Sequence, residues 1–310
     1  MTQKPNSVNR SFLTTVFLSP SEPRLRAGWR FLIQVILQVF ITGVASLVIF
    51  LPYFLFSGKT DFSGTPFLLM SEGVEFFTIF LSIFIVRRFI DKRSLISLGL
   101  QMDNKTVPDV LAGIGITFLM MGLIFYSEWR LDWLSFNSFA WNVDTVQNVI
   151  VQVLLFFFVF IIGAWNEELM SRGYHLQTIA SGTNLFWGLV LSSAIFGGLH
   201  LANPHATWIG ALGIFCAGLF LGYAYIRTGR LWLSIGLHLG WNFFEGVMFG
   251  FPVSGLDIYH LTHINVAGPE LWTGGAFGPE AGLLILPSLA LGAGLIYLYT
   301  AQKRLHDNGH

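Results

Sequence analysis

Charge is scarce in this 310-residue sequence: Asp, Glu, Lys and Arg make up 11% of it, 17 acidic against 17 basic. A soluble domain carries about 25% charged residues because its surface must face water, so an ordinary hydrated surface is excluded. Neither sign is in excess, and the zero formal net charge removes the basic field that nucleic-acid binding requires. The only cysteine, Cys216, lies in an apolar run; an intrachain disulfide, a CxxC redox pair and a zinc knuckle are all excluded. GxSxG and HExxH are missing too, which disfavours a serine hydrolase with a nucleophile elbow and a zincin. The first 29 residues lack the apolar core and small-residue cleavage site of a signal peptide, so no cleaved leader is expected. No internal repeat or linker divides the chain.

What is abundant is apolar surface. Hydrophobic residues make up 54%, with 31 Phe and 10 Trp, and the mean hydropathy is +0.64; disorder is excluded by the same composition. A helix crosses the bilayer core with about 20 apolar residues. Stretches near 31–56, 66–86, 107–127, 145–166, 184–201, 207–226, 231–250 and 280–300 meet or approach that length. The expected fold is an all-α polytopic bundle of about eight transmembrane helices. With the N-terminus inside, all of the 17 basic residues except Lys59 and Arg130 fall on cytoplasmic segments, as the positive-inside rule requires. Both termini are therefore expected to be cytoplasmic. The 251–279 segment, which contains Asp257, His260, His263 and Glu270 but no Lys or Arg, reads as an external loop able to cap the bundle.

Ionisable side chains in such spans need a partner or a wet cavity. In the first half, Glu72 and Glu75 near the start of the second span are the exceptions to an otherwise chemically quiet region. In the second half three clusters stand out. Glu167 and Glu168 are followed by Arg172; on a continuing helix Glu168 and Arg172 pair at i,i+4 and Glu167 points elsewhere without a local counter-charge. Two carboxylates and one guanidinium in a poorly solvated place suit one carboxylate to general-base work, although a solvated helix end with an ordinary ion pair would read the same way. Phe196 precedes His200 by one helical turn near the end of an apolar helix, where a histidine can equally be a packed boundary residue. His238 and Asn242 share one face of the 231–250 span and could be interhelical hydrogen-bond partners instead of catalytic groups; Glu245 follows. A base, a cation, two imidazoles and an amide are the inventory for water-assisted acyl hydrolysis.

At these residues the chain resembles the CAAX protease and bacteriocin-processing (CPBP, or Abi) family, the type II CAAX prenyl endopeptidases. Glu167, Glu168 and Arg172 match its EExxxR motif, Phe196 and His200 its FxxxH, and His238 and Asn242 its HxxxN, in the family's order. The resemblance covers about residues 145–250. It implies a core at 141–250, preceded by a basic segment and three spans at 1–140 and followed by the external loop and last span at 251–310. It implies an intramembrane endopeptidase in which Glu167 activates water, His200 helps hold it, His238 and Asn242 stabilise the oxyanion, and Glu168 with Arg172 orients the site. The implied substrate is a membrane-associated peptide or protein, of prenylated CAAX or bacteriocin-leader type, in a bacterial inner membrane. No cofactor is expected. Zinc held by Glu167, His200 and His238 is the alternative within the same site, and a proton-relay transporter or channel, or a non-catalytic immunity protein, the alternatives outside it.

Simple hydropathy places Glu167 at the inner end of the fourth span and His200 at the outer end of the fifth. Either the fourth helix runs on to about residue 180, with its carboxylates at mid-depth, or the fifth span starts deeper. The Gly218–Gly222 stretch fits close helix packing, inside the bundle or at a dimer contact.

Overall fold

The structure, a computed structural model, describes residues 12–19, 22, 24–57 and 65–307. Lys4, Arg10 and Lys59, which entered the charge count above, lie outside them. In chain order the main elements are α1 (Phe12–Phe17), α2 (Ala27–Ser57), α3 (Thr65–Ile85), α4 (Thr106–Arg130), β1 (Leu134–Phe139), α5 (Val146–Glu168), α6 (Gln177–Gly182), α7 (Leu185–Leu199), α8 (Trp208–Thr228), α9 (Trp232–Asn242), β2 (Thr262–Val266), α10 (Glu270–Thr273) and α11 (Ile285–Asp307). The protein is an all-α polytopic membrane bundle.

Among the described residues seven helices are long and apolar enough to cross a bilayer. The segment expected near 231–250 is helical as well, but α9 has 11 residues and continues only through six π-helical residues to Met248, short of a full span. It is also the most enclosed helix, with Trp232 to Trp241 buried throughout. Its closest neighbour is α4. A methyl group at Gly113 would fall 2.5 Å from the Leu237 amide nitrogen, so the two backbones touch where a side chain would separate them. A short helix sheathed by protein need not match the bilayer thickness.

Outward faces are apolar and several inner seams are polar. Val39, Phe40, Leu47 and Val48 on α2 and Phe77 on α3 are exposed, as lipid contact requires. Between the same two helices Gln38, Thr42, Thr78 and Ser82 hydrogen-bond one another. Capping sets the ends: Thr145 accepts from the Asn148 amide, Asn184 from Trp187 and Thr207 from Gly210, while Gly229 at φ +67° stops α8. Gly218 faces Ser193 and Gly222 faces Leu189, both on α7, so that glycine pair packs inside the bundle.

The two ends differ in chemistry. At one end Arg30 pairs with Asp91, Arg230 with Asp103 and Lys303 with Asp109, which gathers segments assigned to a single side by their charges. At the other, β1 and β2 form an antiparallel pair with Leu134 opposite Val266 and Phe139 opposite Thr262, bulged between Phe136 and Ser138. This ribbon was not expected. Its strands are five and six residues long and far apart in sequence, too short and too remote for local periodicity to reveal. With it the 251–279 segment folds over the end of α9: His260 Nδ1 donates to the Gly246 carbonyl at 2.9 Å and Thr262 Oγ1 to Met248 at 2.6 Å.

Candidate active site

The depth conflict between Glu167 and His200 is resolved by helix continuity. After Glu168 the chain does not leave the helix but passes through π turns, Leu169–Leu176, into α6, giving one helical run of 37 residues from Val146 to Gly182. Glu167 thus sits some 15 residues, or about 22 Å at 1.5 Å per residue, from the Gly182 end of that run. The Ser171–Ala180 stretch is polar yet helical because the bundle sheathes it, with Ser171 to Leu176 buried. The helix that carries His238 and Asn242 also switches to π geometry directly after its motif, at Phe243; a π turn adds a residue and so re-aims the side chains that follow it.

Glu168 anchors the site. It is fully buried; its Oε1 accepts from Arg172 Nη1 at 2.7 Å and from His238 Nδ1 at 2.9 Å, and its Oε2 from Ser234 Oγ at 2.7 Å. Arg172 also donates through Nη2 to the Gly218 carbonyl at 3.1 Å, and its guanidinium lies 4.4 Å from the centre of the Phe196 ring. The same ring meets His200 and His238 edge-on at 4.8 and 6.0 Å. Phe196 is therefore the wedge that sets both imidazoles and the guanidinium, and its backbone carbonyl accepts from His200 Nδ1 at 2.8 Å.

These bonds dictate tautomers. A carbonyl only accepts, so His200 carries a proton on Nδ1 and turns Nε2 away from the backbone; the Nδ1 proton of His238 points to Glu168, an arrangement that the neutral ring and the imidazolium satisfy alike. Both Nε2 atoms converge on Glu167 Oε2, at 3.9 Å for His200 and 3.8 Å for His238. Among the described residues Oε2 has no hydrogen-bond partner of its own. Glu167 is accordingly a free carboxylate facing two directed ring nitrogens, while Glu168 is spent on structure.

A cavity of about 110 Å³ opens here, lined by Glu167, His200, His238, Asn242, Glu72 and Glu280 among others. Of the residues singled out in sequence, Glu167, His200, His238 and Asn242 face it, and Glu168 and Arg172 stand behind His238. Glu72 lines the wall next to Gly163, whereas Glu75 is exposed on α3 and does not line it. Ser234, Trp241, Ser254 and Glu280 had not been singled out. Glu280 enters from the loop before α11; it is 4% exposed and accepts from Ser254 Oγ at 2.6 Å and Trp241 Nε1 at 3.2 Å. Its only sequence signal is a carboxylate in a segment without cations. Glu245 is buried nearby.

The donor chemistry of Glu167, His200 and His238 would suit zinc, but their spacing does not make a ligand set. Tetrahedral zinc bonds of about 2.0–2.1 Å put ligand atoms about 3.3 Å apart, closer than the 3.8–3.9 Å found, and no cluster of three His, Cys, Asp or Glu among the described residues is arranged to hold a metal.

The chain is 26% identical over 176 residues to the "Putative membrane peptidase YdiL" of Bacillus subtilis (strain 168), covering 56% of this chain and 69% of that one. It is 24% identical over 179 residues to an "Uncharacterized 24.3 kDa protein" of Escherichia coli, covering 57% and 78%. The family model described as "Type II CAAX prenyl endopeptidase Rce1-like" matches residues 149–244, the segment that carries Glu167, Glu168, Arg172, His200, His238 and Asn242. That segment of the chain is thus similar to the Rce1-like type II CAAX prenyl endopeptidases.

Proposed function

We propose that the protein is an intramembrane endopeptidase that hydrolyses a peptide bond of a membrane-associated substrate with water activated by Glu167. The observation that carries this reading is the convergence of His200 Nε2 and His238 Nε2 on the unpartnered Glu167 Oε2 inside a cavity enclosed by apolar helices.

A water in that gap donates one proton toward Glu167 and is held by the lone pair of His200 Nε2. Glu167 takes the proton as hydroxide oxygen attacks the scissile carbonyl carbon. The carbonyl oxygen becomes an oxyanion, which accepts hydrogen bonds from the Asn242 amide and from His238 in its imidazolium form. Glu168 accepts from Nδ1 of that imidazolium, and Arg172 balances Glu168, so the four groups Glu167, Glu168, Arg172 and His238 sum to zero charge. Collapse of the tetrahedral intermediate breaks the C–N bond. The proton held by Glu167 passes to the departing nitrogen, giving an amine and a carboxylic acid and regenerating the carboxylate. Phe196 keeps both rings in register throughout.

The substrate class that fits the family resemblance is a lipid-anchored CAAX-type peptide or a bacteriocin-type leader, cleaved in a bacterial inner membrane with both chain termini on the cytoplasmic side. The test is cleavage by the purified protein in detergent, offered a pool of membrane peptides and a prenylated CAAX peptide, with Glu167→Ala and His238→Ala alongside. Cleavage lost in both variants and unaffected by a strong zinc chelator is the expected result. Loss on chelation with rescue by zinc would replace the metal-free mechanism, and equal cleavage by all three proteins would remove the site.

A further inference from the structure

At the basic end of the bundle two pockets of 520 Å³ each lie side by side, sharing no lining residue with the proposed catalytic cavity. The first is lined by Arg24, Arg26, Arg30, Trp29, Glu22 and Ser181 among others. The second is apolar, with Phe31, Ile179, Leu191, Ala194 and Ile195 in its walls. They share Ala27, Gly28 and Gly182, so one passes into the other where α2 and α6 meet. The apolar pocket runs along α7 from Leu191 to Ile195, against Phe31 of α2 and Ile179 of α6.

Positive charge in the first pocket is under-compensated. Asp91 is the shared partner of three guanidiniums, at 2.9 Å from Arg30, 3.0 Å from Arg87 and only 3.8 Å from Arg24. Glu22 serves Arg24 at 2.7 Å and Arg93 at 3.1 Å. Arg30 is 3% exposed, and its Nε has no hydrogen-bond partner among the described residues. Burial together with the neighbouring Arg30 and Arg93 charges pulls the Arg24 guanidinium below its ordinary pKa. The first turn of the 31-residue α2 supplies Ala27, Gly28 and Trp29 to the same wall, which adds the partial positive charge of a helix N-terminus. A buried cationic cup that opens laterally onto an apolar groove matches an amphiphile with an anionic head and a hydrocarbon tail.

We infer that the Arg24–Arg30 pocket and the adjoining α2–α7 groove bind an anionic phospholipid, its phosphate among the guanidiniums and an acyl chain along Phe31 and Leu191. The groove distinguishes a lipid from a free phosphate, which would fill the cup alone. The site does not depend on the peptidase reading.

The test is native mass spectrometry of the full-length protein titrated with phosphatidylglycerol, phosphatidylcholine or inorganic phosphate. Phosphatidylglycerol should remain bound where phosphatidylcholine dissociates, and phosphate should neither be retained nor compete. Arg24→Gln removes one charged hydrogen-bond donor and should weaken phosphatidylglycerol binding about tenfold. Gly28→Leu keeps every charge, and nothing lies within 4 Å of a Cβ added there, so it should block the junction of the two pockets without unfolding the protein and weaken binding comparably. Equal retention of the two lipids, wild-type affinity in Gly28→Leu, or full competition by phosphate would each overturn the assignment.

Discussion

Adjacent carboxylates with opposite duties make the sharpest test of the site. Glu167→Gln and Glu168→Gln change the same atom, one residue apart on one helix, yet the structure requires different outcomes. Glu168 is fully buried and accepts from Arg172, His238 and Ser234. Amidation removes the negative charge paired with the buried Arg172 guanidinium and leaves it only neutral partners, an amide oxygen, the Gly218 carbonyl and the Phe196 ring. Breaking a buried ion pair from one side costs about 3–5 kcal/mol, a large fraction of the roughly 5–15 kcal/mol that holds a typical fold together. Glu167 has a side chain 28% exposed to the cavity and an Oε2 without a hydrogen bond, so its amidation should change stability by no more than about 0.5 kcal/mol. It removes the proton acceptor, however, and should lower peptide cleavage by about 10²–10⁴-fold. Thermal melting in detergent and a cleavage assay on the same preparations separate the two effects. If Glu167→Gln melts as early as Glu168→Gln, or keeps wild-type turnover, the division of labour is wrong.

Other perturbations reach different parts of the argument. Phe196→Ala should retain the fold but lower cleavage more than tenfold, because the wedge between His200, His238 and Arg172 is lost; circular dichroism checks the fold and the peptide assay the rate. Gly113→Val forces α4 from α9 at a contact with no room for a methyl group, and should destabilise by about 1–3 kcal/mol as overpacking does, visible as an earlier melt. Asp103 lies in the loop before α4, where the Lys105 amide at 2.7 Å and then the Arg230 guanidinium pull its carboxyl below the ordinary value. A depressed carboxyl contributes stability that is present above its unfolded pKa of about 3.9 and is lost as pH falls through the folded value. Asp103→Asn should therefore flatten the acid flank of the melting-temperature profile and leave its alkaline side unchanged.

Sequence alone carried the membrane class, most of the span positions and the six polar motif residues, because lipid excludes charge so strongly that a carboxylate or imidazole in an apolar run is conspicuous without any structure. Helical spacing also made the Glu168–Arg172 and Phe196–His200 relations legible, since i and i+4 always share a face. Tertiary structure alone decided the rest. Whether a polar stretch such as Ser171–Ala180 is helix or loop depends on what sheathes it, and its burial joined α5 to α6 and brought Glu167 to the level of His200. The short α9 became tolerable because protein surrounds it. Ser234 and Glu280 carry no local pattern: a serine one turn before His238 and a glutamate in a loop acquire meaning only when packing turns them toward Glu168 and the cavity. The β1–β2 ribbon escaped notice for the same reason, as pairing between distant short strands is a property of the folded chain.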